Sequence, residues 1–64
     1  MAFPVGVDSV ENGDRIEVWL NDRPAVVVVT GIEEGKAIRT CQARCNDQTL
    51  TLDLQRGQTV NLAC

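Results

Sequence analysis

Three thiols are the side chains of this chain best suited to chemistry: Cys41 and Cys45, four residues apart, and Cys64. Residues four apart on one side of a strand are separated by about 13 Å, too far to share one ion or close a disulfide. Zinc knuckles use C-x₂-C or C-x₄-C spacings and a fourth ligand, and this chain contains no histidine. A nucleophilic cysteine needs a base or an electropositive niche, and the neighbouring Arg39 and Arg44 cannot accept a proton. The paired carboxylates Glu33 and Glu34 sit where a hairpin tip is expected, a usual place for solvated acids. Gly31 and Gly35 enclose those acids, and such a loop repels phosphate. Tyrosine is absent along with histidine, so the usual proton shuttles are missing. We therefore expect no enzyme, no catalytic residue, no metal, no cofactor and no small-molecule substrate. The cysteines read as small hydrophobes with reduced thiols.

Binding is the remaining class of function. The net charge of −3 is too small for a nucleic-acid mimic and of the wrong sign for a bulk polyanion binder. Its distribution is uneven: residues 1–35 carry seven acids against Arg15 and Arg23, while residues 36–64 carry Lys36, Arg39, Arg44 and Arg56 against Asp47 and Asp53. These four basic residues are the candidate contacts for nucleic acid. Single-strand readers stack bases on exposed aromatics beside a basic groove, whereas the lone Trp19 stands in the acidic half.

Two stretches bear on the same question. LTLDLQRGQTVNL (Leu50 to Leu62) resembles the opening of the carbon storage regulator family of RNA-binding repressors, and VVVVTGIEEGKAIR (Val26 to Arg39) resembles its central hairpin. The segments stand here in the reverse chain order, and the family's basic, proline-containing exit from its third strand has no counterpart after Ala43. The resemblance implies a small RNA-binding translational regulator, and no RNA-contacting residue is carried over from it.

The elements that must position these residues follow from composition and period. Nine Val, five Leu and three Ile with only Phe3 and Trp19 as aromatics make an aliphatic core suited to a sheet. Turn signals recur about every 10 residues, at Glu11–Asp14, Asn21–Pro24, Gly31–Gly35, Asn46-Asp47 and Gln55–Gly57, and the segments between them alternate with period 2. The fold expected is all-β: five or six short antiparallel strands in a meander, with little or no helix. The meander curls into a small, partly open barrel of SH3-like or OB-like shape. All 64 residues form one domain, with residues 1–10 as an N-terminal arm or extra edge strand.

Centring each hairpin on its turn places Leu20 opposite Ala25, Val28 opposite Ile38, Cys45 opposite Gln48 and Leu52 opposite Val60. One face then gathers Ile16, Val18, Leu20, Ala25, Val27, Val29, Ala37, Cys41, Ala43, Leu50, Leu52, Leu54, Val60 and Leu62, with Cys41 between Ala25 and Leu52. Arg39 is the charge on that face, between Val27 and Leu54. It needs an outlet to water, a carboxylate from Asp22 or Glu11, or a bulge near Thr40 that turns it outward. The first two leave Arg39→Met tolerable for folding.

On the other face Trp19, Val26, Val28 and Ile38 break the polar pattern and form the candidate partner-binding set. Either the segment Phe3–Val7 covers them or another chain does. The expectation is a non-enzymatic protein-binding, regulatory or adaptor protein acting as a homo-oligomer, most simply a homodimer, that also contacts another protein. An RNA-binding regulator and a structural subunit of a larger assembly are the alternatives. The longest apolar run, Ala25 to Val29, is far short of a membrane span, so no membrane is expected. The first residues lack a secretory pattern, which points to the cytoplasm.

Overall fold

A computed structural model of the chain describes residues 2–63. Six strands form one antiparallel sheet: β1 (Ala2–Gly6), β2 (Arg15–Leu20), β3 (Arg23–Glu34), β4 (Ile38–Cys45), β5 (Gln48–Gln55) and β6 (Thr59–Ala63), with a 3₁₀ turn at Val7–Ser9. The spatial order is β1-β6-β2-β3-β4-β5. Strands β2 to β5 follow one another as a meander, and β6 returns to lie between β2 and β1. The sheet curls into a small barrel left open between its two edge strands, β1 and β5. This corrects the expected pairing of Leu52 with Val60: period-2 alternation fixes which face a strand presents, not which strand it lies beside.

The first hairpin turns on two residues, Asn21 and Asp22, both in the left-handed region (φ 52° and 62°), the backbone that matches the twist of the flanking strands. Arg23 and Pro24 therefore belong to β3, with Trp19 opposite Pro24, Glu17 opposite Val26 and Arg15 opposite Val28. The expected register, with Leu20 opposite Ala25, is off by two, a step that leaves every side chain on its assigned face. Pro24 is tolerated because β4 begins pairing with β3 only at Val28, so that part of β3 needs no second ladder.

Beyond Val29 the difference is larger. β3 runs straight through the expected turn at Gly31, and a bulge between Val29 and Gly31 inserts Thr30 as an extra residue. Its hydroxyl donates to the Gln42 carbonyl at 3.2 Å. Val29 faces Ala43 before the bulge; Ile32 faces Cys41 and Glu34 faces Arg39 after it. The extra residue reverses the alternation, so Ile32 and Glu34 point to the inner side, where a regular strand would place Glu33. The turn falls at Gly35–Ala37, which leaves Ala37 exposed and out of the core. A Cβ at Gly35 would collide with the Ile38 carbonyl oxygen, which restricts that position to glycine.

The core is Val7, Val10, Ile16, Val27, Val29, Cys41 and Ala43, flanked by half-buried Val5, Val18, Leu20, Ile32, Leu50, Leu52, Leu54, Val60 and Leu62. Each fully buried Val or Ile is worth about 1.5–3 kcal/mol. Residues 2–10 split their work: β1 pairs with β6, and the segment after it drops Val7 and Val10 into the barrel. They therefore do not cover Trp19. The Val7 amide donates to the Gln58 carbonyl (2.9 Å), and the Gly13 amide, in a turn with Gly13 at φ 91°, donates to the Val29 carbonyl (2.7 Å).

Cys41 lies between Ile32 and Leu52, not beside the expected Ala25, because the β3–β4 turn falls later than expected and the bulge adds one further residue. Cys45 is half-buried, both are free thiols, and Cys64 lies outside the described residues. Burial pushes the Cys41 thiol above its ordinary pKa. Cys41→Ser buries a hydroxyl with no partner built for it and should cost about 1–3 kcal/mol. The measurement is the urea midpoint, which falls at unchanged slope; in the native protein Cys41 should react with a bulky thiol reagent only as fast as the chain unfolds.

Candidate functional site

Two constellations stand out once the barrel is assembled, one inside its rim and one on its outer wall. The inner one is built around Arg39, whose residue exposure is only 6%. All three guanidinium nitrogens donate, in four hydrogen bonds. Nε donates to Glu34 Oε1 (2.7 Å) and Nη2 to Glu34 Oε2 (3.0 Å), a bidentate fork, while Nη1 donates to the carbonyl oxygens of Val7 (2.6 Å) and Val10 (3.1 Å). Arg56 extends the cluster: Nη2 donates to Glu34 Oε1 (2.8 Å), Nε to the Gly35 carbonyl (2.8 Å), and Nη1 to Asp8 Oδ1.

The cluster ties four stretches that sequence separates: the 3₁₀ turn, the β3–β4 hairpin, β4 and the turn after β5. The partner of Arg39 is thus Glu34, not Asp22 or Glu11, and the bulge that arranges it lies in β3 rather than near Thr40. No buried side-chain nitrogen or oxygen among the described residues lacks a partner. The Arg39 hydrogen bonds, reinforced by its charge and that of Arg56, hold the Glu34 carboxyl below the usual glutamate range.

The outer constellation follows from the corrected register. Trp19 is 72% exposed, beside Pro24 across the strand pair, with Val26 and Val28 continuing along β3 on the same face. Val28 lies between Arg15 on β2 and Arg44 on β4, and Glu17 stands opposite Val26. Trp19 is therefore not opposite Val26 but diagonal to it, and Val28 is not opposite Ile38. Ile38 pairs with Gln55, six residues along β4 from Arg44 and roughly 20 Å away. Of the four apolar residues expected together, three assemble and Ile38 does not.

The four basic residues divide in the same way. Arg39 and Arg56 are committed to carboxylates and carbonyls of their own chain, at the exposed rim in the case of Glu34 and Asp8; Lys36 is exposed at the β3–β4 turn and Arg44 on the outer wall at the far end of β4. The outer wall instead adds Arg15 and Pro24, which the alternation of β2 and a two-residue Asn-Asp turn could have indicated. Among the described residues no group of three potential metal ligands gathers, no ligand-sized cavity opens, and no helix is long and apolar enough to cross a membrane. Searches against protein-family profiles, curated proteins and solved structures return no significant match.

Two outcomes follow for the inner cluster. Arg39→Met, expected to be tolerable for an arginine that only pairs with a carboxylate or reaches water, instead strands the Val7 and Val10 carbonyls and should cost roughly 1.5–3 kcal/mol in chemical unfolding, the range for hydrogen bonds to a charged group. Because the folded-state pKa of Glu34 is depressed, its contribution is complete above the unfolded-chain value and is lost as pH falls through the lower folded value. Glu34→Gln should therefore flatten the acid limb of the stability–pH curve, measured by urea unfolding at a series of pH values below 5, while lowering stability at neutral pH.

Proposed function

We propose that this protein is a non-enzymatic binding module, a homo-oligomer that engages a second protein through the outer wall of β2 and β3. The observation that carries the reading is Trp19: a tryptophan 72% exposed on a regular strand, in line with Pro24, Val26 and Val28. Isolated apolar side chains on a surface are ordinary, whereas a contiguous row headed by tryptophan has the composition of an interface centre. The row ends at Val28 between Arg15 and Arg44, so the fitting partner is an extended segment with apolar side chains for the Trp19 end and a carboxylate for the arginine pair. RNA fits less well, since Arg39 and Arg56 already serve the fold and Trp19 lies among acidic neighbours in the chain.

The exposure of Trp19 makes the test clean. Trp19→Ala should leave unfolding stability within about 0.5 kcal/mol of the wild type, as surface substitutions do. It should abolish retention of a partner protein that binds the wild type reversibly when both are purified. Arg44→Glu should weaken the same complex and raise no new one. Co-purifying material that absorbs at 260 nm and survives Trp19→Ala would move the assignment to nucleic acid; a purified partner bound equally by wild type and Trp19→Ala would remove the outer wall from the function.

A further inference from the structure

The barrel has two free edges, and they differ in kind. β1 is five residues long and carries Pro4, which offers no amide. β5 is eight residues long, Gln48-Thr-Leu-Thr-Leu-Asp-Leu-Gln55, paired to β4 from end to end without a bulge. It has no proline and no lysine, and Asp53 is its only charge. Exposed edges usually carry such devices against strand addition, and β5 has almost none of them. Its inner side chains are unfinished as well: Leu50, Leu52 and Leu54 face the core yet remain only half-buried, because no strand of the described residues lies beyond them.

We infer that the β5 edge is the self-association surface, pairing antiparallel with β5 of a second copy about a two-fold axis at Leu52. The residue pattern selects both occupant and register. Antiparallel partners must share a face, so registers that set leucine against threonine are excluded. Placing Leu50 or Thr51 on the axis sets a core leucine against Gln48, and placing Asp53 there opposes two like charges. With Leu52 on the axis, Leu50 meets Leu54, Thr51 meets Asp53 and Thr49 meets Gln55, each twice by symmetry. Apolar faces apolar, and no like charges meet. This contact is isologous, joins two sheets into one and extends the leucine row across the seam. The inference rests on the proposed homo-oligomer but not on the Trp19 surface, which it leaves free on both copies, so a partner with two epitopes gains avidity.

The test uses light scattering on the full chain at high micromolar concentration, with circular dichroism and urea unfolding as controls for folding. The wild type should have twice the 7.0 kDa chain mass. Thr51→Asp sets an aspartate against Asp53 of the other copy at two places and should weaken dimerisation at least tenfold. The double variant Thr51→Asp, Asp53→Lys turns both contacts into opposite-charge pairs and should restore the dimer, a rescue that a merely misfolded variant would not show. Trp19→Ala should leave the mass unchanged. A monomeric wild type, a dimer indifferent to Thr51→Asp, or a dimer lost in Trp19→Ala would each overturn the assignment, and only the last bears on the outer wall.

Discussion

A guanidinium inside a small aliphatic barrel has to find a counter-charge and acceptors for its nitrogens or the chain does not fold, because an unpaired buried charge costs more than a domain of this size has to lose. In this protein that requirement shapes three regions at once. Arg39 needs a carboxylate on the inner side of β3, and the bulge at Thr30 supplies it by moving Glu34 to that side. It needs further acceptors, and the chain between β1 and β2 supplies them by crossing the barrel so that the Val7 and Val10 carbonyls meet Nη1. The side chains of those two residues fill the core, so the segment that satisfies the charge also closes the apolar interior. An ion pair on an open surface contributes little; this one matters because its removal leaves buried groups without partners.

The same geometry separates residues that serve the fold from those free to serve something else. Arg39, Arg56, Glu34 and Asp8 are bonded to one another across the rim. Trp19, Val26 and Val28, with Arg15 and Arg44 around them, take part in no such network and face outward. With residues 2–10 used as edge strand and core filler, no remaining length of described chain lies over the Trp19 row. The outer wall and the β5 edge are two separate surfaces, the first proposed for another protein and the second for a second copy.

How far the sequence speaks can be read residue by residue. The inner face is almost wholly predictable from alternation: Ile16, Val27, Val29, Cys41 and Ala43 are buried as the period requires, and the β4–β5 register, Cys45 opposite Gln48, follows from the Asn46-Asp47 turn. An error of two in the β2–β3 register is harmless to that face and harmful to the outer one, where it decides whether Trp19 meets Val26 or Pro24. The bulge is hidden for a different reason. Val26 to Val29 followed by Thr-Gly reads equally well as a strand entering a turn, and only the need of Arg39, a contact across the hairpin, favours a strand that continues. The position of β6 is hidden because a strand's alternation carries no information about its neighbour.

Amide hydrogen exchange in Arg39→Met tests the central claim most directly, since it reports the segment before β2 separately from the sheet. If Arg39 holds that segment against the barrel, the amides of Val7, Val10 and Gly13 lose most of their protection in the variant, while the β2–β3 amides around Ile16 and Val27 stay protected. Protection at Val7, Val10 and Gly13 equal to that of the wild type would show that the segment packs without the arginine, and would contradict the account.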